Sequence, residues 1–246
     1  MDGGVLDLIV FLSATFAAAL VAGLAGFAFG LVAAAAWLHI LTPLETTILI
    51  IGYGLIVQGM AVWRLRHALS WPRLWPFLIG SAFGVPIGAA ILISMNPAQV
   101  RTGIGIILVL YAVYGLVRPP LKPVPAAPLA ADIGVGALNG VVGGMTGFAG
   151  IVMTIWCGIR GWPKDVQRTV FQPIGVATFV MSALWIGGAG AVTVPVLKLF
   201  ALGLPFLLAG TWLGLRLYGS LSEAGFRRTV LILLLVSGAA LIVPLR

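Results

Sequence analysis

Residues 140–150 read Gly140-Val-Val-Gly143-Gly144-Met-Thr146-Gly147-Phe148-Ala-Gly150, inside an apolar stretch that runs from Ala131 to Ile159. A bilayer core of ~30 Å takes about 20 helical residues. The stretch has 29 residues. As a straight helix it would be about 44 Å long, too long for one upright crossing and too short for two plus a turn. Val5 to Leu41 shows the same misfit with 37 residues and carries Gly23-Leu-Ala-Gly26-Phe-Ala-Phe-Gly30. Glycine lowers helix stability by about 1 kcal/mol against alanine. Grouped glycines therefore predict a broken, re-entrant helix in each stretch. Small residues also let membrane helices pack closely, a second use for the same glycines.

Outside these two stretches the chain divides into six segments of single-crossing length. They are Leu44–Trp63, Leu74–Ser94, Ala98–Val117, Val166–Ile186, Pro195–Gly219 and Phe226–Val243. Of the 246 residues 61% are apolar and 8% charged, whereas a water-facing domain needs roughly 25% charged residues. The class is an all-α integral membrane protein. The net charge of +8 comes without any run of Lys or Arg, so it predicts membrane orientation and no nucleic-acid partner. One cysteine, Cys157, excludes an intrachain disulfide and a Cys-rich metal site. Met1-Asp2-Gly3-Gly4 lacks a basic n-region, so no cleavable signal is expected.

The chain also repeats itself. At an offset of 120, Gly23 meets Gly143, Gly30 meets Gly150, Val32 meets Val152, Pro43 meets Pro163 and Glu45 meets Asp165. At 126, Gly84 meets Gly210, Gly88 meets Gly214, Ser94 meets Ser220, Ala98 meets Ala224 and Arg101 meets Arg227. The expected halves are 1–123, with broken helix 5–41, and 124–246, with broken helix 131–159, each followed by three spans. If the 131–159 stretch leaves and returns, eleven of the 14 basic residues share one side, leaving Arg101, Lys198 and Arg246 opposite. Pro43 and its counterpart Pro163 then face opposite sides, so the two repeats are inverted, an architecture of secondary transporters.

Such transporters bind substrate near the midplane, where broken helices present their ends. A half-helix N-terminus carries about +0.5 charge and free N–H groups. Ends near Gly26–Gly30 and Gly147–Gly150 would hold an anion without a buried lysine. The expected binding residues are Gly26, Phe27, Gly30, Thr146, Gly147, Phe148 and Gly150. Gln58, Asn139 and Gln172 are the polar contacts, with Gln58 matching Thr178 at offset 120. Intramembrane amides and hydroxyls also hold helices together. Trp37 and Trp156 would either wall the pocket or anchor at the interface. Glu45 and Asp165, each two residues after a proline, read as helix-start residues. Two distant histidines and one buried cysteine assemble neither a metal site nor a nucleophile pair, and no Gly-x₄-Gly-Lys-Ser/Thr motif is present. No enzyme activity and no cofactor are expected.

The paired breaks, Gly23-x-x-Gly26-Phe-x-x-Gly30 and Gly143-Gly144-x-x-Gly147-Phe-x-Gly150, resemble those of the TauE/SafE family of sulfite and organosulfonate exporters. So do the Pro-containing loops after them, and the turns Ser94-Met-Asn-Pro-Ala-Gln-Val-Arg101 and Ser222-Glu-Ala-Gly-Phe-Arg227. Many members carry Gly-x-Gly-Gly-Gly in each break; here Phe27, Ala28, Phe29 and Phe148 replace part of that run. The resemblance implies a multi-pass permease of the bacterial inner (plasma) membrane that exports small sulfur-containing or organic anions such as sulfite or sulfoacetate. The implied partners are the anion and the lipid bilayer. A coupling ion (proton or sodium) and a homo-oligomer stay open, as do an anion channel and a non-transporting assembly or helper protein.

Overall fold

A computed structural model describes residues 4–25, 28–117, 124, 127–217 and 223–242. Met1, Asp2, Gly3, Gly26, Phe27, Gly219, Ser220, Ser222, Val243 and Arg246, named above, lie outside the described residues, as do Arg118 and Lys122, two of the eleven basic residues counted on one side. Among the described residues the structure is helical, without strands: α1 (Val5–Ala25), α2 (Phe29–Trp37), α3 (Pro43–Leu65), α4 (Trp71–Ser94), α5 (Pro97–Val117), α6 (Leu129–Thr146), α7 (Ile151–Ile159), α8 (Lys164–Gly188), α9 (Val194–Leu217) and α10 (Glu223–Ile242). A short 3₁₀ turn, Arg66–Ala68, follows α3. Each of the six single-crossing segments corresponds to one helix, α3–α5 and α8–α10. Seven helices are long and apolar enough to cross a membrane; the apolar part of α10, Val230–Ile242, is shorter.

Helix starts follow local chemistry. Pro43 and Pro97 open α3 and α5, where a missing N–H costs nothing. Before α3, the Thr42 backbone N–H donates to Glu45 Oε2 at 2.9 Å and the Glu45 N–H to Thr42 Oγ1 at 3.3 Å. This reciprocal capping box fixes the role of Glu45 at the helix start. Before α5, the Ala98 N–H donates to Asn96 Oδ1 at 2.9 Å.

The chain forms two compact units that do not follow chain order. One comprises residues 1–53, 95–119 and 193–246, the other residues 54–94 and 120–192. In the first, α1 packs on α9, α5 on α10, and α2 on α1 and α10. In the second, α4 packs on α6 and α8, and α7 on the same two helices.

Lipid is as apolar as leucine, so helices in a bilayer associate through close packing more than through hydrophobic burial. The glycines supply that approach. In the second unit Gly80, Gly84 and Gly88 of α4 interleave with Gly136, Gly140 and Gly144 of α6. A methyl group at Gly84 would strike the Ala137 carbonyl, one at Gly88 the Val141 carbonyl, and one at Gly140 the Ser81 carbonyl at 2.6 Å. Ser81 Oγ donates across the same seam to the Gly136 carbonyl at 3.0 Å. In the first unit, Gly210 meets the Phe16 carbonyl and Gly214 the Leu20 carbonyl. The glycine pairs matched at offset 126 therefore meet carbonyls themselves matched at offset 121. Gly140, Gly143 and Gly144 thus lie within α6, and Gly23 lies within α1 against Thr211 and Gly214. In those positions, close packing is what glycine provides.

Candidate functional site

Helix α6 ends at Thr146 because Gly147 turns left-handed (φ 74°) and its N–H caps the Gly143 carbonyl at 2.8 Å. Thr146 Oγ1 donates to the Val142 carbonyl at 2.7 Å and accepts the Phe148 N–H at 3.1 Å. The chain then turns back. Trp156 Nε1 of α7 reaches Asp132 Oδ1, in the first turn of α6, at 2.8 Å. The Val124 N–H, upstream of α6, donates to the Ile159 carbonyl at the end of α7, also at 2.8 Å. In the first unit Trp37 Nε1, at the end of α2, donates to the Phe11 carbonyl of α1 at 3.4 Å, and the two rings stack at 5.1 Å. Trp37 is wholly buried and Trp156 half-buried. Both indoles tie the second helix of their pair to the helix before it.

The second break rests on α8. A Cβ at Gly143 would meet Thr178 Cγ2 at 2.6 Å and the Ala149 Cα at 3.3 Å; one at Gly175 would meet Gln58 Oε1 and, at 3.5 Å, the Ala149 carbonyl. Asn139 Nδ2 donates to Thr178 Oγ1 at 3.2 Å, and that hydroxyl donates to the Ile174 carbonyl at 2.8 Å. With the Thr178 proton committed to Ile174, its oxygen accepts from Asn139. The Asn139 Oδ1 then points elsewhere, buried and without a partner. Gln58 Oε1, Gln172 Oε1 and Ser182 Oγ are likewise buried and unpartnered. Asn139 is 0% exposed and Gln172 5%, so water at the protein surface does not reach them. A buried polar atom without a hydrogen bond costs roughly 1–3 kcal/mol, and such atoms mark places where a ligand or water completes the structure.

The residues expected from sequence fall into distinct roles. Thr146 and Gly147 shape the turn, and Phe148 is buried in it. Gly150 precedes α7, and a side chain added there would meet nothing within 4 Å, so the space beside this helix end is open. The first full helical bond of α7 runs from the Thr154 N–H to the Gly150 carbonyl at 2.9 Å, leaving the N–H groups of Val152 and Met153 ahead of it. α8 links Gln58 and Asn139 to the break through Gly175 and Thr178. In the first unit Gly30 is the second residue of α2, behind Ala28, which is left-handed at φ 78°. Sequence reasoning missed Gly175 as the seat of Gln58 and Ser182 as a buried hydroxyl, because neither carries a local signal. Among the described residues no cluster of three or more metal-ligating side chains occurs.

Seven helices long and apolar enough to cross a bilayer define a multi-pass helical membrane protein. A family profile described as sulfite exporter TauE/SafE matches residues 11–241, and the chain belongs to that family of membrane transporters. No curated protein and no solved structure gives a significant match.

Proposed function

We propose that this chain is a secondary transporter of the bacterial inner membrane that exports a small sulfur-containing or organic anion, such as sulfite or sulfoacetate, by alternating access. The carrying observation is the start of α7: a helix N-terminus facing open space at Gly150, close to buried side-chain amides with unpaired atoms. Backbone N–H groups and the helix dipole favour an anion there without a buried cation. An amide side chain turned toward the ligand adds a hydrogen bond. α2 offers the same kind of end in the other unit. The matched glycines on matched carbonyls support duplication of halves 1–123 and 124–246. Because α7 returns toward the start of α6, the pair adds no net crossing; eleven of 14 basic residues then share the cytoplasmic side and the halves are inverted.

The test uses Gly150→Leu. A Cβ added at Gly150 meets nothing within 4 Å, so the leucine side chain starts into open space. Purified protein in liposomes is expected to move sulfite, sulfoacetate or a small carboxylate, and Gly150→Leu to abolish that flux with an unchanged melting temperature. Wild-type protein that moves none of these anions overturns the reading.

A further inference from the structure

Arg160, the residue that ends α7, is half-buried, and its guanidinium has two nitrogens, Nε and Nη1, that are inaccessible to solvent and have no hydrogen-bond partner. Its guanidinium carbon lies 5.1 Å from the centre of the Trp162 ring. That stacking covers a face of the guanidinium and satisfies none of its in-plane N–H groups. Asp132, whose Oδ1 accepts the Trp156 indole N–H, makes no hydrogen bond to either of these nitrogens. Charged donors held from water without a partner are costly, and Arg is the side chain whose planar fork matches an oxyanion.

The setting is ordered. The Arg160 N–H donates to the Trp156 carbonyl at 2.9 Å, the Trp162 N–H to the Cys157 carbonyl at 3.3 Å, and Gln167 Nε2 to the Trp162 carbonyl at 2.8 Å. Arg168 follows one turn into α8, adding positive potential at this end of the unit. α7 is nine residues long, about 13 Å. Its positive end is at Gly150 and its negative end at Arg160. An anion approaching from the Arg160 end meets the negative end first, and a cation placed there offsets it.

We infer that Arg160, stacked on Trp162, is an oxyanion-binding site at the C-terminal end of α7, occupied by the transported anion before it reaches the start of that helix. The inference rests on the transport reading above for its role, though its binding step is measured separately. A free sulfur oxyanion and a lipid phosphate share this chemistry, so the experiment has one arm without phospholipid. In uncharged maltoside micelles, sulfite is expected to change the tryptophan fluorescence of the wild type. The change should be lost in Arg160→Gln, partly kept in Arg160→Lys, and reduced in Trp162→Phe. In liposomes, Arg160→Gln is expected to raise the KM for sulfite about tenfold with saturating turnover nearly kept, the signature of lost ground-state binding. A purely structural role would instead lower the melting temperature and turnover together in both variants. Sulfite binding and KM unchanged in folded Arg160→Gln overturn the inference, as does an effect confined to bilayers containing phosphatidylglycerol. Wild-type protein that binds sulfite in micelles but moves no anion upholds the Arg160 site and overturns the transport reading.

Discussion

The helix pairs α1–α2 and α6–α7 are each tied together by an indole, and the two ties differ in chemistry. Around α2 the contacts are aromatic. Trp37 stacks on Phe11, Phe29 meets it edge-on at 6.0 Å, and Tyr53 stacks on Phe200 at 4.7 Å. The Tyr53 hydroxyl is satisfied by the Phe200 carbonyl at 2.9 Å. Around α7 the contacts are polar: an indole on Asp132, a threonine bridging the turn, and buried amides with unpaired oxygens. A helix that turns back on itself needs only to have its end tied down, and either chemistry does that. Among the described residues, the polar reversal alone combines that tie with unpaired buried amides, and the proposed anion site is drawn from it.

The largest expected effect tests what the two units share. Gly84→Leu drives a side chain into the Ala137 carbonyl and Gly210→Leu into the Phe16 carbonyl. Both should abolish recovery of monodisperse protein by size exclusion. Tolerance of one alone would break the equivalence of the two seams.

The next effect separates the reversals. Trp37→Ala removes a fully buried ring and should cost about 3–5 kcal/mol. Trp156→Phe keeps the ring stem, loses one charge-assisted hydrogen bond and should cost about 1–3 kcal/mol. Denaturant titration in mixed micelles ranks the two, and a reversed order would show that the polar tie is the stronger.

A smaller effect compares the turns themselves. Ala28 and Gly147 both occupy the left-handed region, which costs a residue with a Cβ about 1–2 kcal/mol. Ala28→Gly should therefore stabilise by up to about 1 kcal/mol once glycine's added unfolded-state entropy is subtracted, and Gly147→Ala should destabilise by about 1 kcal/mol. Melting temperatures moving in the same direction would contradict this.

The smallest effect lies at the turn between α2 and α3, outside the spans. Burial first, and then Arg101 with its guanidinium 3.4 Å from Nδ1, hold the His39 pKa below the usual 6.5. The folded state therefore binds fewer protons than the unfolded state in the window below 6.5. The His39 contribution is fully present above that pH and is lost as the pH falls through the depressed folded value. Melting in maltoside from pH 8 to pH 5 should show a small acid-side decline that His39→Asn removes.

Much of this was legible in the chain. The six single-crossing segments follow from runs of apolar residues, and Glu45 as a capping residue follows from Thr42-Pro-Leu-Glu45. The repeat offsets pointed to Gly84 with Gly210 and Gly88 with Gly214 without saying what those glycines touch. The glycines of 140–147 were harder to separate. Helix breaking and close packing both call for glycine, and only the path of α4 distinguishes Gly140 and Gly144 from Gly147. The tie between Trp156 and Asp132 was not legible, because the two residues are 24 positions apart.

The sequence by itself determined that the protein lives in lipid, where its helices fall and which family it belongs to. Transfer into hydrocarbon is summed residue by residue along the chain, and the family profile reads residues in order. Tertiary structure decided which glycines pack and which turn, which amide oxygens lack a partner, and that half-buried Arg160 has two unpartnered nitrogens. Those properties depend on distances between residues remote in sequence. A hydrogen bond is made or missed over less than an ångström, and no local pattern encodes that.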